Sequence, residues 1–404
     1  MQEQRRILLS ELPEPFVVKS VKAEGIEKYD IDNAYPSRME RLINGSVTAK
    51  SSAGMLSRFL IGQGFKEESL NKIIVGKDRY ERPITAFKLL RQIAVSTAFY
   101  AGYYVRAQFD GNLKTTALAH TNFKHCRFGL KDSQDYSGMV VIYDNWDRSK
   151  SNKVNKKDFL KVNVWNPREA VISAQIEKAG SHSEYKGQVY FNFLDEYFLY
   201  PLAPIDPVLY DADTEKEISR FKNGELRRGF FMKYIIHHSM FESEKDAKDF
   251  QDKMDKMIGG GHQLSSMILP GTFNDDGTLN KEENISVEKI EQNINDKIFE
   301  TYEKSVINNI RKAYHAIPQI LIDYEDGKLG TTSGEALFQA SSFYNQMTGE
   351  LRKTISESFV EMFLNWHTDA AKGQTWEIEP LELGIRDEQG GNMTLAIPLK
   401  KEDK

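Results

Sequence analysis

The stretch from Ile285 to His367 constrains the fold most, because it holds two long amphipathic helical patterns joined by a short loop. The first pattern runs from about Asn293 to Tyr314 and stops at His315-Ala316-Ile317-Pro318. Along it Ile298, Tyr302, Val306, Ile310 and Tyr314 recur every four residues. Such a stripe drifts slowly around an ideal helix and suits a tilted helix packed on neighbours. The other face carries Lys297, Glu300, Lys304, Arg311 and Lys312. The loop reads Asp323-Tyr-Glu-Asp-Gly-Lys-Leu-Gly330. The second pattern opens at Thr332-Ser-Gly-Glu335, where Thr332 and Glu335 form a capping box, and runs to Trp366. Within it Leu337, Ala340, Tyr344, Met347 and Leu351 alternate spacings of three and four, close to a coiled-coil seam. As one straight helix, Thr332 to Ala370 would span ~58 Å. Gly349 costs ~1 kcal/mol against Ala in such a helix, so a break is expected near Thr348-Gly349.

No catalytic signature of comparable strength occurs elsewhere. The 404 residues allow one large or two to three ordinary domains, and 40% hydrophobic with 11% aromatic content allows a real core. The 54 basic and 59 acidic residues give a formal charge of -5. A protein that grips DNA by its phosphates is normally basic, so any nucleic-acid contact here is expected to be local or weak. Cys126 is the only cysteine, which rules out an intrachain disulfide and fits a reducing cytoplasm. The apolar run Ile7-Leu8-Leu9 is too short for a signal peptide, and no run approaches the ~20 residues of a membrane span.

Along the chain, residues 1–30 read as an N-terminal arm. Helices are expected from Tyr35-Pro36, with Met39, Leu42 and Ile43 on one face; from Thr48 to Leu60, ending at Gly62-Gln-Gly64; and from Pro83 to about Val105. Between Val105 and Pro201 come short strands: Met139 to Tyr143, Val162 to Trp165 and Val189 to Phe193. The result is an α+β body of about 200 residues. Pro201-Leu-Ala-Pro204-Ile-Asp-Pro207 is a stiff connector. A short helix should run from Asp211 to Phe221 and end at Asn223-Gly224. Residues 224–285 read as a small β-α-β insert, with strands at Gly229–His237 and Ser266–Leu269 around a helix from Ser243 to Ile258. Trp376-Glu-Ile-Glu-Pro380 has the composition of a strand.

Three constellations were weighed for chemistry. Gly45-Ser-Val-Thr-Ala-Lys50-Ser51 loosely resembles a phosphate-binding loop, but it is one residue short and follows a helical segment rather than a strand. A turn between helices with Thr48 as N-cap is the favoured reading; a nucleotide-dependent enzyme using this loop is the alternative. His120, His125 and Cys126, and His237 with His238, lack a matched pair at zinc spacing, so a buried Cys and surface histidines are expected. Asn274-Asp-Asp-Gly277 has the composition of a tight turn. No metal, cofactor or catalytic residue is expected.

The order of α+β body, short helix, β-α-β insert, long helix, loop and second long helix resembles portal proteins of tailed double-stranded DNA bacteriophages, over about Asp30 to Trp366. Its most specific part is Ile294-Asn-Asp-Lys-Ile-Phe-Glu-Thr-Tyr-Glu followed by Ile307-Asn-Asn-Ile-Arg-Lys-Ala-Tyr-His-Ala-Ile-Pro318-Gln-Ile-Leu. Ser333-Gly-Glu-Ala-Leu337 resembles the start of a tunnel-lining helix, and Asn223-Gly-Glu-Leu-Arg-Arg-Gly229 the strand leading into a clip. Asp32-Asn-Ala-Tyr-Pro36, with Gly62-Gln-Gly-Phe65, resembles the opening of portals from phages of Bacteroidetes-type hosts.

The resemblance implies a non-enzymatic ring, typically of about twelve copies, at one capsid vertex of a virion assembled in the host cytoplasm. Such a head-tail connector would pass double-stranded DNA, without sequence preference, during packaging and ejection. Its partners would be the terminase motor, the major capsid protein and a head-tail adaptor, with no membrane. The implied regions are an arm (1–29), wing (30–205), first stem helix (206–222), clip (223–287), second stem helix (288–315), tunnel loop (316–331), kinked tunnel and wing helix (332–370) and a C-terminal segment (371–404). Channel candidates are Lys328, Asp323, Glu325, Asp326, Lys297, Lys304, Arg311 and Lys312; clip candidates for docking the terminase or adaptor are Arg227, Arg228, Lys245, Lys248, Asp275 and Asp276. DNA must slide through such a channel, and a near-neutral lumen limits the counterion release that would grip it. Lys328 is the only Lys or Arg between Lys312 and Arg352, and it sits among acids. A different virion or baseplate ring component is the further alternative.

Overall fold

The computed structural model describes residues 22–23, 25–146, 156–194, 199–227, 233–237, 286–290, 296–322 and 333–383. The chain divides into two compact units, Met1–Asp213 with Val306–Lys404, and Thr214–Ser305. Its fold is mixed α+β.

In the first unit a hairpin of β1 (Lys22–Ala23) and β2 (Ile26–Glu27) leads to α1 (Tyr35–Gly45) and α2 (Val47–Ile61). The expected face of α1, Met39, Leu42 and Ile43, is buried, with Pro36 in the first turn. Ser46, not Thr48, caps α2: its hydroxyl accepts from the Ala49 amide at 3.0 Å. Ser46 is the single extended residue between the two helices, so it alone has the geometry of a cap.

Next come β3 (Gly64–Phe65), α3 (Glu68–Asn71), β4 (Ile74–Lys77), β5 (Pro83–Thr85) and α4 (Ala86–Tyr100). The helix expected over Pro83–Val105 is therefore trimmed at both ends. Thr85 caps α4 by accepting from the Lys88 amide, and Ala101 turns left-handed at φ 55° to stop it. Tyr103, Tyr104 and Val105 then enter β6 (Gly102–Phe109), since aromatic and β-branched residues pack well on a pleated surface.

The strands β7 (Thr115–Thr121), β8 (Cys126–Phe128), β9 (Met139–Ile142), β10 (Leu160–Val164) and, after α5 (Glu169–Ala179), β11 (Gln188–Phe193) complete a sheet of order β7-β6-β11-β10-β9-β8. Among the described residues its one parallel pair is β10 with β11, bridged by α5; the other pairs are antiparallel. The three strands read from sequence are β9, β10 and β11.

The N-terminal arm reading ends earlier than residue 30, because Ile26 and Tyr29 are core residues. The Tyr29 ring stacks between Tyr35 at 4.9 Å and Tyr200 at 4.3 Å, and its hydroxyl donates to the Pro201 carbonyl. The proline connector is thereby held at several points. Tyr35 Oη accepts from the Ala203 amide at 3.0 Å and donates to Asp206 at 2.8 Å.

A helix α6 (Leu209–Arg227) begins in the first unit and continues into the second. It is longer than the expected Asp211–Phe221 and runs through Asn223-Gly224. One interior glycine costs about 1 kcal/mol, and Glu225, Leu226 and Arg227 beyond it are strong helix formers. The strand expected at Asn223–Gly229 is thus helical as far as Arg227. In the second unit β12 (Lys233–His237) pairs antiparallel with β13 (Ser286–Ile290). The helix expected at Ser243–Ile258, the strand at Ser266–Leu269 and the Asn274–Gly277 turn lie outside the described residues. The chain returns through α7 (Asp296–Ala313), and residues 286–290, where the portal resemblance implied the start of a helix at 288, form β13 instead.

The last part of the first unit is α8 (Ser333–Met347), α9 (Gly349–Phe363) and β14 (Ile378–Glu379), which pairs with β3. The expected break falls at Thr348. The helix ends at Phe363, short of Ala370, and Trp376 is buried against Phe65, Phe359 and Phe363. Tyr103 donates to Ser358 at 2.6 Å and Tyr190 to Glu361 at 2.9 Å, fixing α9 on the sheet.

Candidate functional site

The sequence singles out the turn after α7 and the helix that follows, and the described residues show how that segment is held. Within the first unit Val306 and Ile310 of α7, and Tyr314 directly after it, are buried, as the four-residue stripe predicts. Tyr302, on the same stripe but in the second unit, is 61% exposed, because burial needs a covering partner as well as the period. Asn309 reaches Asp211 of α6 at 3.4 Å.

Two consecutive left-handed residues end α7, His315 at φ 62° and Ala316 at φ 53°. They fold the chain back so that the Ile317 amide donates to the Arg311 carbonyl at 3.2 Å. The Arg311 guanidinium in turn donates to the Ile317 carbonyl at 3.0 Å and to Asn308 at 3.1 Å. Arg311, expected to face a channel, is therefore engaged as a helix C-cap, where a cation also complements the carbonyl end of the dipole. Lys304 and Lys312 are exposed, and Lys297 lies on α7. Lys328, Asp323, Glu325 and Asp326 lie outside the described residues, as do Arg228, Lys245, Lys248, Asp275 and Asp276; Arg227 is the last residue of α6. The capping box at Thr332 also lies outside them.

Tyr344 of α8 is fully buried, meets Phe59 of α2 edge-on at 4.8 Å, and donates its hydroxyl to the Tyr314 carbonyl at 2.9 Å. Burial holds both tyrosine hydroxyls well above their ordinary pKa. The seam of α8 buries Tyr344 and half-buries Leu337 and Ala340, whereas Met347 is 43% exposed because the helix breaks at the next residue.

Arg352 fills that break. The residue is 7% exposed, and its guanidinium donates to the Asn345 carbonyl at 2.7 Å, the Asn345 side chain at 3.1 Å, Thr348 Oγ1 at 2.8 Å and the Phe59 carbonyl at 3.2 Å. The Asn345 amide donates on to the Leu381 carbonyl at 2.7 Å. At the end of α8 the Asn345 carbonyl is satisfied by Arg352, and the Tyr344 carbonyl accepts from Thr348 Oγ1 at 2.8 Å. Sequence reading treated Arg352 only as the next cation after Lys328. The glycine marked the break, but nothing in the local pattern marked the arginine that stabilises it.

A second buried arginine was also missed. Arg127, 1% exposed, donates to both the side chain and carbonyl of Asn33, and to the carbonyls of Lys124 and Cys126. It explains the Asp32–Pro36 motif: Asn33, left-handed at φ 58°, presents both its oxygens to this guanidinium. Cys126 is buried as expected, with its thiol pushed up by burial. His120 is less exposed than expected: its Nε2 is shielded and without a hydrogen-bond partner, and burial lowers its pKa to about 4. Among the described residues no cluster of three His, Cys, Asp or Glu side chains has the arrangement of a metal site, and no helix is long and apolar enough to cross a membrane. The Gly45–Ser51 segment is a helix end, a one-residue link and a helix start. Lys50 donates to Asn44 at 2.6 Å and lies over the Phe99 ring at 4.8 Å, so no strand-loop-helix phosphate cradle exists there.

Among solved structures, the chain is similar to one from the virion of a native gene transfer agent particle, with TM-score 0.48 and 11% identity, covering 83% of this chain and 81% of that chain. It is similar to one from the neck of a native gene transfer agent particle computed with C12 symmetry, with TM-score 0.48 and 11% identity, covering 85% and 82%. It is also similar to an HK97-family phage portal protein from Corynebacterium diphtheriae, with TM-score 0.37 and 9% identity, covering 74% and 84%. No family model matches the chain, and no curated protein aligns with it.

Proposed function

We propose that the chain is the subunit of a portal-type ring: a non-enzymatic, homo-oligomeric conduit for double-stranded DNA in a virion. The observation that carries this reading is the course of the chain. The chain leaves the first unit within α6, forms a second compact unit, Thr214–Ser305, and returns to the first within α7, ahead of the helix that breaks at Thr348. This course supports reading the chain in the order of wing, stem, clip, stem and kinked helix that the portal resemblance implies. Apolar side chains left exposed on α8 support assembly: Phe338, Phe343 and Met347 are 41%, 47% and 43% exposed, on a helix whose inner side already buries Tyr344. A second copy would cover them.

In this reading α6 and α7 are stem struts, and the strand pair β12 and β13 belongs to a clip that docks the terminase or a head-tail adaptor. The Asp323–Gly330 loop touches passing DNA through Lys328. Motor activity belongs to the terminase rather than to this chain.

Native mass measurement and negative-stain imaging of the purified full chain test the reading. A closed ring with a central hole is expected; a compact monomer that persists at high concentration would overturn it.

A further inference from the structure

An open cleft of about 780 Å³ lies in the first unit, away from the α7–α8 segment, and is lined from α1, α2, α4, β7 and the turn before β8. That volume is within the usual range for ligand sites. Its rim is cationic: Lys50 of α2, with Lys88 and Arg91 one turn apart on α4. Lys88 and Arg91 are exposed and have no carboxylate partner among the described residues. The one acidic lining residue, Glu40, is already paired with Lys124 at 2.5 Å. The floor is apolar, with Val95 46% exposed beside Phe99. His120 contributes a shielded Nε2 that has no hydrogen-bond partner.

We infer that this cleft is a docking site for an acidic peptide segment of a partner protein. Two carboxylates would pair with Lys88 and Arg91, and an apolar side chain would cover Val95. The charge is complementary, and desolvating the guanidinium against a carboxylate favours paired geometry. A single-stranded nucleic acid also offers negative charge, but it needs aromatic faces on which to stack. Here Lys50 already covers one face of Phe99, and Tyr100 stacks on Phe123 at 4.8 Å. The cleft therefore fits carboxylates with an apolar anchor better than bases. This inference does not depend on the portal reading.

The test is fluorescence anisotropy on the full chain with a labelled Glu-Leu-Glu-Phe-Glu-Leu-Glu peptide, its Gln-for-Glu counterpart, and labelled oligothymidylate. The acidic peptide should bind and weaken with salt. It should lose roughly tenfold or more in affinity to the double variant Lys88→Glu/Arg91→Glu, whose two sites are exposed, and a smaller factor to Val95→Ser. Circular dichroism checks that the variants stay folded. Equal binding by the Gln peptide, unchanged binding to the charge-reversed variant, no binding up to about 1 mM, or binding of oligothymidylate in place of the peptide would each overturn the proposal.

Discussion

The hydroxyl of Tyr344 donates to the main-chain carbonyl of Tyr314 at 2.9 Å, tying the end of α7 to the middle of α8. The Tyr314 hydroxyl, in contrast, is buried without a partner. Two phenylalanine substitutions thirty residues apart should therefore differ in sign. Tyr344→Phe should cost about 1–2 kcal/mol, since it leaves a buried carbonyl unsatisfied; Tyr314→Phe should be neutral or stabilise by up to about 1 kcal/mol. Urea unfolding midpoints measure both, and equal losses would mean that the hydroxyl bond contributes nothing.

Arg352 bridges the break at Thr348, bonding Asn345 and Thr348 on one side and the Phe59 carbonyl of α2 on the other. Arg352→Met keeps the apolar stem and removes four hydrogen bonds. A loss of about 3 kcal/mol is expected, with Arg352→Lys recovering only part of it because a point charge does not reproduce the planar fork. Thermal unfolding of the two variants against the parent checks the order.

Ala316 holds a left-handed backbone at φ 53°, where a Cβ is strained. Ala316→Gly should gain about 0.5–1 kcal/mol despite the entropy glycine adds to the unfolded chain, whereas Ala316→Val should lose more than about 1 kcal/mol. Chemical denaturation resolves both. A loss on Ala316→Gly would show that the strain is absent.

His120 carries a pH dependence of definite sign. Burial lowers its pKa to about 4, below the unfolded value of about 6.5, so the unfolded chain binds the proton first as pH falls. Stability from this group is complete above about pH 6.5 and is lost progressively toward pH 4. The amount is of the order of 2 kcal/mol for a ring that is only part-buried. Burial lowers the His315 pKa too, with the same sign. The slope of stability against pH between 6.5 and 4 should flatten in His120→Gln.

Trp376 packs on Phe65, Phe359 and Phe363 at 4.1–5.4 Å between ring centroids. Trp376→Ala should cost about 3–5 kcal/mol. Ending the chain at residue 372 should cost at least as much, because β14 is lost with it. Differential scanning calorimetry of both variants tests whether this segment is part of the first unit's core.

Much of the fold was legible in short-range pattern. The faces of α1 and α7, the strands β9 to β11 and the break at Thr348–Gly349 follow from period, propensity and one glycine, all properties of neighbouring residues. Boundaries were read less well where two adjacent segments are both apolar. Pro83 to Val105 is continuous in composition, yet Thr85 and Ala101 divide it into strand, helix and strand through a cap and a left-handed turn. The opposite error occurred at Gly224, where a stop signal was outweighed by the helix formers after it.

The sequence by itself determined the two long helices with their break, the balanced charge and the absence of a strand before Gly45–Ser51, because each depends on residues close together in the chain. Only the tertiary structure decided which arginines are free and which are buried. Arg127, Arg311 and Arg352 look alike in sequence to surface cations, and each is held by carbonyls supplied by the fold. Likewise, only the packing brought Lys50, Lys88, Arg91 and His120 to one cleft from α2, α4 and β7. A hydrogen bond or a cleft depends on distances in space, and residues 30 to 293 positions apart meet there without leaving any local signature.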